Sequence, residues 1–111
     1  MMFYEFNAGG NVYKLSIPTR NLVSLEKSLG CNPMGIFAED SIPKLSDMLT
    51  VIFDAMQRFQ HGVKMDDVYD IYDAFLEDGN TMTDLIPVII EVYKASNIIK
   101  PDQVEEDAAK N

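Results

Sequence analysis

The two side chains with the widest chemical repertoire, one thiol and one imidazole, are far apart in this 111-residue sequence. Cys31 follows a glycine that ends a predicted helix, and His61 lies in a later turn between helices. A Cys–His nucleophile needs both groups within hydrogen-bond reach, a third group that orients the base, and an exposed pocket. The spacing favours a small apolar residue and a surface histidine instead. We therefore expect no catalytic residue and no enzyme activity.

A second segment, Leu76–Asn80, faintly resembles a calcium-binding loop because it combines acids with a glycine. When Gly79 is aligned with the fixed glycine of that loop, Ala74 takes the first ligand position and Leu85 the twelfth. Both positions require acidic oxygens. The alignment fails at both, so we expect neither a metal site nor a bound cofactor.

Acidic residues give the sequence its most unusual electrostatic feature, with 18 acids, 9 bases and a net charge of −9. Eight of the acids and no base lie between Lys64 and Lys94. A polyanionic nucleic acid and an anionic membrane are unfavourable partners for such a chain. Four of the acids are spaced to form one helical stripe, either a solvated face or a docking surface for a basic partner or a neighbouring copy: Asp66, Asp70, Asp73 and Glu77.

The expected compartment follows from the cysteine and from the apolar runs. A single cysteine forms no internal disulfide, which is typical of cytosolic proteins. The first ten residues lack the basic region and long apolar run of a signal peptide. The run Leu85–Ile90 is too short to span a bilayer. We expect a cytoplasmic protein that binds no membrane.

The elements that position these residues begin with a predicted hairpin. Residues 2–7 are rich in aromatic side chains, and residues 12–17 alternate between apolar and polar. Gly9 and Gly10 lie between them and suit a turn that needs positive φ. Because two strands alone are marginally stable, the hairpin must pack on helices or pair with another chain.

Four helical segments follow, at about 19–29, 44–60, 66–78 and 83–97, each with an apolar stripe at spacings of three and four. We expect Thr19 and Thr83 to cap the first and last helices, and Gly30 and Gly79 to end the first and third. The fold class is mainly α (α+β), an N-terminal β-hairpin packed on about four helices. One domain covers 1–99, and 100–111 is a mobile acidic tail. The predicted core comprises Leu22, Leu25, Leu29, Leu45, Leu49, Ile52, Met56, Val68, Ile71, Phe75, Leu85 and Ile89.

The last helix is apolar over more than half of its circumference, so it is either central in the core or partly a contact surface. As a contact surface it would bind a protein partner through one apolar face. That face comprises Leu85, Ile86, Ile89, Ile90 and Tyr93.

The order of these signals over residues 10–99 resembles the small tail assembly chaperones of long-tailed (siphovirus-type) phages and prophages, and the related tail protein of gene-transfer agents. None of the shared motifs is catalytic; they are caps, a helix end and an Asn-Pro turn. The segments that carry the resemblance are the strand end Tyr13-Lys14-Leu15-Ser16-Ile17, then Thr19-Arg20-x-Leu22-Val23-x-Leu25-Glu26-x-x-Leu29-Gly30, Asn32-Pro33-Met34, Pro43-x-Leu45-x-Asp47-Met48 and Asp67-Val68-Tyr69-Asp70-Ile71-Tyr72-Asp73.

The resemblance implies a function in virus assembly. Chaperones of this family bind the long tape measure protein in the host cytoplasm and keep it soluble. They leave as tail tube subunits polymerise around it, and are absent from the mature virion. Self-association into a spiral or higher oligomer is expected, because head-to-tail contacts between copies suit a long filament.

In the resembled family a programmed −1 frameshift near the end of the short product makes a longer form that recruits tail tube subunits. Ala109-Lys110-Asn111 can be encoded GCA AAA AAC, which contains a slippery heptamer in the required frame. The preceding acidic segment suits a tether for an appended domain. The resemblance thus adds tail tube subunits as partners.

An acidic inhibitor that mimics DNA is the alternative from another functional class. Such a protein is also small and acidic, and its target is a host DNA-binding enzyme such as a nuclease or methylase. It predicts paired acids along an elongated surface. The order of hairpin then helices and the apolar last helix favour the chaperone.

Overall fold

A computed structural model describes residues 2–37 and 42–100, in which an N-terminal β-hairpin packs against four α-helices. The predicted fold class is confirmed. Residues 101–111, including the proposed slip site at Ala109–Asn111, lie outside the described residues. In chain order the elements are β1 (Tyr4–Ala8), β2 (Asn11–Leu15), α1 (Thr19–Leu29), a 3-10 turn (Pro33–Ile36), α2 (Leu45–Met56), α3 (Met65–Glu77), a 3-10 turn (Met82–Asp84) and α4 (Leu85–Ala95).

The hairpin turn docks directly on α3. Gly9 and Gly10 have φ of 60° and 81°, the left-handed values that a tight two-residue turn requires. The Gly9 amide donates a hydrogen bond of 2.8 Å to Oδ2 of Asp78. A Cβ at Gly9 would lie 2.9 Å from Cβ of Ala74, so only glycine fits this approach. The hairpin is therefore stabilised by the helices of its own chain.

The main-chain amides of the two residues after β2 donate hydrogen bonds to α2 and to the residue after α4. The Ser16 amide donates to the Ala55 carbonyl at 3.1 Å, and the Ile17 amide donates to Oγ of Ser96 at 2.9 Å. These bonds satisfy two amides in a buried segment, where an unpaired amide is costly. The hairpin, α2 and α4 thus form the centre of the molecule.

Several helix ends follow the sequence signals. Gly30 ends α1 with φ of 73°, and the Asn32 side chain accepts a hydrogen bond of 3.0 Å from the Gly35 amide. Asn97 has φ of 61°, and the Ile98 amide donates to the Tyr93 carbonyl at 2.9 Å. This is the bonding of a Schellman ending, with asparagine in the place usually taken by glycine.

The predicted threonine caps are each wrong by one residue. Pro18 occupies the cap position of α1, and Thr19 lies inside the helix without a capping hydrogen bond. Asp84 occupies the cap position of α4, and Thr81 caps the 3-10 turn before it, where the Thr81 amide donates to Oδ2 of Asp84 at 2.7 Å. That 3-10 turn contains Thr83. The second helix is also shorter than predicted, since α2 ends at Met56.

The core lies between the hairpin, α2 and α4. Eight of the twelve predicted core residues are buried, and the other four, Leu22, Leu29, Leu45 and Ile71, are half-buried and pack against the edge of the core. The buried side chains of α2 and α4 include Met48, Val51, Ile52, Ala55, Met56, Leu85, Val88, Ile89, Val92 and Tyr93.

No helix within residues 2–37 and 42–100 is both long and apolar enough to cross a membrane.

Candidate functional site

The apolar face of α4 is mostly inside the molecule, which corrects the prediction that it is a contact surface. Leu85, Ile89 and Tyr93 are each 0% exposed, while Ile86 and Ile90 are half-buried. The reason is that α4 packs against both α2 and β1, which together cover this face. The wide apolar surface of α4 therefore reflects a central position in the fold, and this helix does not present a free apolar face.

Tyr93 shows how firmly α4 is fixed. Its hydroxyl donates a hydrogen bond of 2.7 Å to the Pro33 carbonyl, and its ring meets the Phe37 ring edge to face at 6.1 Å. Burial raises the pKa of Tyr93, and the nearby Cys31 and Asp47 raise it further. The hydroxyl is thus a permanent donor, with a structural role.

The acidic stripe lies on the surface of α3. Asp66, Asp70, Asp73 and Glu77 are all exposed and face away from the core residues Val68 and Phe75 of the same helix.

Two acids beside this stripe have structural partners. Oδ2 of Asp67 accepts a hydrogen bond of 2.8 Å from the Lys64 amide at the start of α3, and Asp78 receives the Gly9 amide. The acids of this region therefore divide into two that fix α3 in place and four that form its outer face.

Helix α3 also carries an apolar stripe, which is not among the sites predicted from the sequence. Met65, Tyr69, Tyr72 and Leu76 are spaced four, three and four residues apart, as the acids are, but shifted by one residue. Because each residue turns a helix by about 100°, the apolar and acidic stripes lie side by side. Tyr69 is 50% exposed and Leu76 is 36% exposed. Met65 and Tyr72 are half-buried and connect the stripe to the core.

The one thiol and the one imidazole of the sequence lie on the surface. Cys31 and His61 are exposed and belong to different turns, after α1 and before α3. Within the part of the chain that the structure describes, no three His, Cys, Asp or Glu side chains are grouped to hold a metal. An apolar depression beside Phe6, Leu49 and Val68 is too narrow to admit a water molecule.

Asp54 is the one charged residue counted among the buried side chains of the described residues. Its Oδ2 atom has no hydrogen-bond partner, and burial raises the pKa of its carboxyl. Its main-chain carbonyl accepts a hydrogen bond of 3.3 Å from the Asn21 side chain. Asp54 is therefore a local destabilising feature of α2, which the apolar periodicity of that helix does not reveal.

The exposed face of α3 is thus the surface where charge and apolar area coincide. Its two stripes run in parallel over three turns, and the hairpin turn and the Asp67 cap hold the helix at both ends. No protein-family model, curated protein or solved structure matches the chain. The contacts and charges of the described residues therefore carry the functional argument.

Proposed function

We propose that this chain is a non-catalytic tail assembly chaperone, which coats the tape measure protein of a long-tailed phage and keeps it soluble in the host cytoplasm. The order of sequence signals over residues 10–99 supports this proposal. The single observation that carries it is the pairing of an exposed apolar stripe with an exposed acidic stripe on α3.

The pairing fits the physical task of such a chaperone. A tape measure protein is long, helical and apolar in places, so it aggregates unless its apolar surface is covered. Tyr69 and Leu76 offer apolar contact area for that purpose. The overall net charge of −9 keeps the complex soluble by mutual repulsion between complexes.

The surrounding charge extends this effect beyond α3. Of the eight acids between Lys64 and Lys94, seven are exposed and Glu91 is half-buried beside Lys94. With a net charge of −9, each bound copy adds negative charge to the complex. Several copies bound along one tape measure protein would give an assembly that resists aggregation in proportion to its coverage.

The same proposal includes contacts between copies and with the tail tube. Self-association along the tape measure protein would form a spiral or higher oligomer. A frameshift-extended form would recruit tail tube subunits, after which the chaperone leaves and is absent from the mature virion. Reading the codons for Ala109–Asn111 tests the extension, because without a slippery heptamer in the gene the longer form is not made by this route.

The DNA-mimic alternative draws on the same acids but not on the apolar stripe. Mimicry of a duplex needs two rows of charge that correspond to two phosphate strands, whereas α3 presents one row with apolar side chains at its border. Tyr69 and Leu76 would be a disadvantage on a surface designed for a DNA-binding groove. Their exposure favours the chaperone.

Co-expression tests the proposal. The tagged chain is expressed with the tape measure protein encoded in the same genome, and the soluble fraction and co-purification of that protein are measured. We expect it to be largely insoluble alone and to become soluble and co-purify with the chain. If solubility does not change, the proposal is wrong. Stable co-purification with a host nuclease or methylase instead would establish the mimic.

A further inference from the structure

The side-by-side stripes of α3 specify what kind of segment they can hold. We propose that α3 docks an amphipathic helix whose apolar seam lies along the apolar stripe (Met65, Tyr69, Tyr72 and Leu76) and whose Lys or Arg side chains face the acidic stripe (Asp66, Asp70, Asp73 and Glu77). The inference rests on the proposed function, because it assigns the surface for the tape measure protein and the chemistry of the segment bound there.

The apolar stripe has the dimensions of a helix-docking seam. From Met65 to Leu76 it covers three turns, or about 16 Å at 1.5 Å per residue. Helices that lie in apolar grooves are held by anchors at spacings of three, four and seven residues. Tyr69 and Leu76 are seven residues apart and are the two most exposed apolar side chains of α3. A partner helix of three to four turns matches this seam.

The acidic stripe favours a partner helix that carries positive charge. All four acids lie on the same edge of the apolar stripe, and they repeat at the helical spacings of four, three and four. A partner helix with bases at matching spacings would place them opposite these carboxylates. Like charges at these spacings repel each other and weaken α3 slightly, and basic side chains would relieve that repulsion. An acidic or uncharged helix gains no such benefit.

Other exposed apolar side chains of the described residues are less suited to a partner helix. Val12, Val23, Met34 and Ile42 come one each from a strand, a helix, a 3-10 turn and a loop. Isolated exposed apolar residues are ordinary on a protein surface.

The aromatic side chains near the N-terminus already have partners within the chain. The Phe3 ring contacts the Phe59 ring at 5.7 Å, and the Lys14 ammonium lies 4.9 Å above the Phe3 ring. The α3 stripe, by contrast, combines two large exposed anchors on one face.

Three designed helical peptides test the proposal. One has a leucine seam flanked by Lys and Arg, the second has the same seam flanked by Glu, and the third keeps the bases but scrambles the seam. Fluorescence anisotropy measures affinity at two salt concentrations, and amide NMR shifts locate the contact. We expect the basic seam peptide to bind at least about tenfold more tightly than either control, equivalent to about 1.4 kcal/mol. The shifts should fall on α3, and added salt should weaken binding.

Matched variants assign the effect to the two stripes. The double variant Tyr69→Ser/Leu76→Ser should weaken binding of the basic peptide by about tenfold or more, as expected for anchor residues. Val23→Ser removes a comparably exposed apolar side chain from α1 and should leave binding unchanged. Asp70→Asn/Asp73→Asn should reduce the preference for basic over acidic flanks while keeping the requirement for the seam. Circular dichroism checks that each variant keeps its helical content.

The results that overturn the inference are specific. Equal affinity for basic and acidic peptides, or amide shifts on α1 or the hairpin, would contradict it. If the double variant loses self-association by ultracentrifugation while the wild type binds no peptide, a second copy occupies the stripe and the inference is wrong.

The inference and the proposed function fail differently. If peptides bind α3 but the tape measure protein stays insoluble on co-expression, the docking surface stands and the function is wrong. If Tyr69→Ser/Leu76→Ser still solubilises the tape measure protein as the wild type does, the function stands and the inference is wrong.

Discussion

Helices α3 and α4 are adjacent in sequence and both amphipathic, but they occupy opposite environments. α4 buries Leu85, Ile89 and Tyr93 completely and is fixed by the Tyr93 hydroxyl. α3 buries Val68 and Phe75 and exposes most of its remaining side chains, apolar ones included. The difference separates two roles, since α4 provides stability to the fold and α3 carries the exposed surface that we propose binds a partner. Substitutions in the two helices should therefore change different measurements.

The largest effect should come from a cavity in the buried helix. Ile89→Ala removes a fully buried side chain and should lower the free energy of unfolding by about 2–5 kcal/mol. Urea unfolding followed by circular dichroism measures the change. Ile90→Ala on the same helix is the control and should be less destabilising, because Ile90 is half-buried. Equal losses from the two variants would show that α4 is not central.

Removing a single tyrosine hydroxyl from each helix compares the buried environment of α4 with the exposed one of α3 more directly. Tyr93→Phe leaves the Pro33 carbonyl without its donor in a buried site, so the free energy of unfolding should fall by about 1–3 kcal/mol. Tyr69→Phe removes a hydroxyl from a half-exposed residue and should have almost no effect. Differential scanning calorimetry measures both. A large loss for Tyr69→Phe would mean that α3 is more integrated than its exposure indicates.

The buried carboxyl of Asp54 should make the stability of the interior depend on pH. Asp54 lies on α2, which contacts both α3 and α4. Burial raises the pKa of its carboxyl in the folded protein above the value of about 3.9 in an unfolded chain. Between the two pKa values the folded chain holds a proton that the unfolded chain has released, so stability falls as pH rises through this interval. Asp54→Asn lacks this loss and should be more stable than the wild type at pH 7, by about 1 kcal/mol.

The control for Asp54→Asn is its own pH dependence. Urea unfolding at several pH values should show the advantage of the variant shrinking as the pH falls below the folded-state pKa of Asp54. An advantage that stays constant with pH would show that packing, not the charge of the carboxylate, is responsible.

The smallest expected effect concerns repulsion along α3. Asp70→Asn removes like-charge contacts with Asp66 and Asp73, each worth about 0.2–0.5 kcal/mol, and should raise stability at low salt. Glu26→Gln on α1 removes the same net charge from an exposed site that has no acid three or four residues away. The difference in melting temperature between these variants should vanish at high salt. A persistent difference would contradict the electrostatic origin.

Local signals in the sequence predicted much of the fold. Gly9-Gly10, Gly30, Asn32-Pro33 and Gly79 mark turns and helix ends because their backbone preferences are intrinsic. Thr19 failed as a cap because the residue before it, Pro18, already has the extended backbone of a cap position. Before the last helix the Thr81 amide and hydroxyl both donate hydrogen bonds to the Asp84 carboxylate, and a 3-10 turn starts earlier than the apolar periodicity indicates.

The roles of α3 and α4 could not be read from the sequence, for a physical reason. Periodicity shows which side chains share a face, but not whether another element covers that face. Ile89 and Tyr69 both lie on apolar stripes, and α2 and β1 pack against both helices. The tertiary packing nevertheless covers Ile89 completely and leaves Tyr69 50% exposed. The hint that was available is the mixture of tyrosines with acids on α3, in contrast to the aliphatic run of α4.

The hydrogen bond from the Gly9 amide to Asp78 can form only after most of the folded part of the chain has been synthesised. Its partners are separated by 69 residues, and the Ile17–Ser96 bond by 79. At a ribosomal rate of about 5–20 residues per second, the Gly9 and Ile17 amides wait roughly 3–16 s for these two acceptors to be synthesised. During part of that interval Phe6 also lacks the Phe75 ring, whose centroid lies 5.3 Å from that of Phe6 in the folded chain. The nascent chain therefore has incompletely covered apolar surface for several seconds, which is the kind of surface that we propose it covers on another protein.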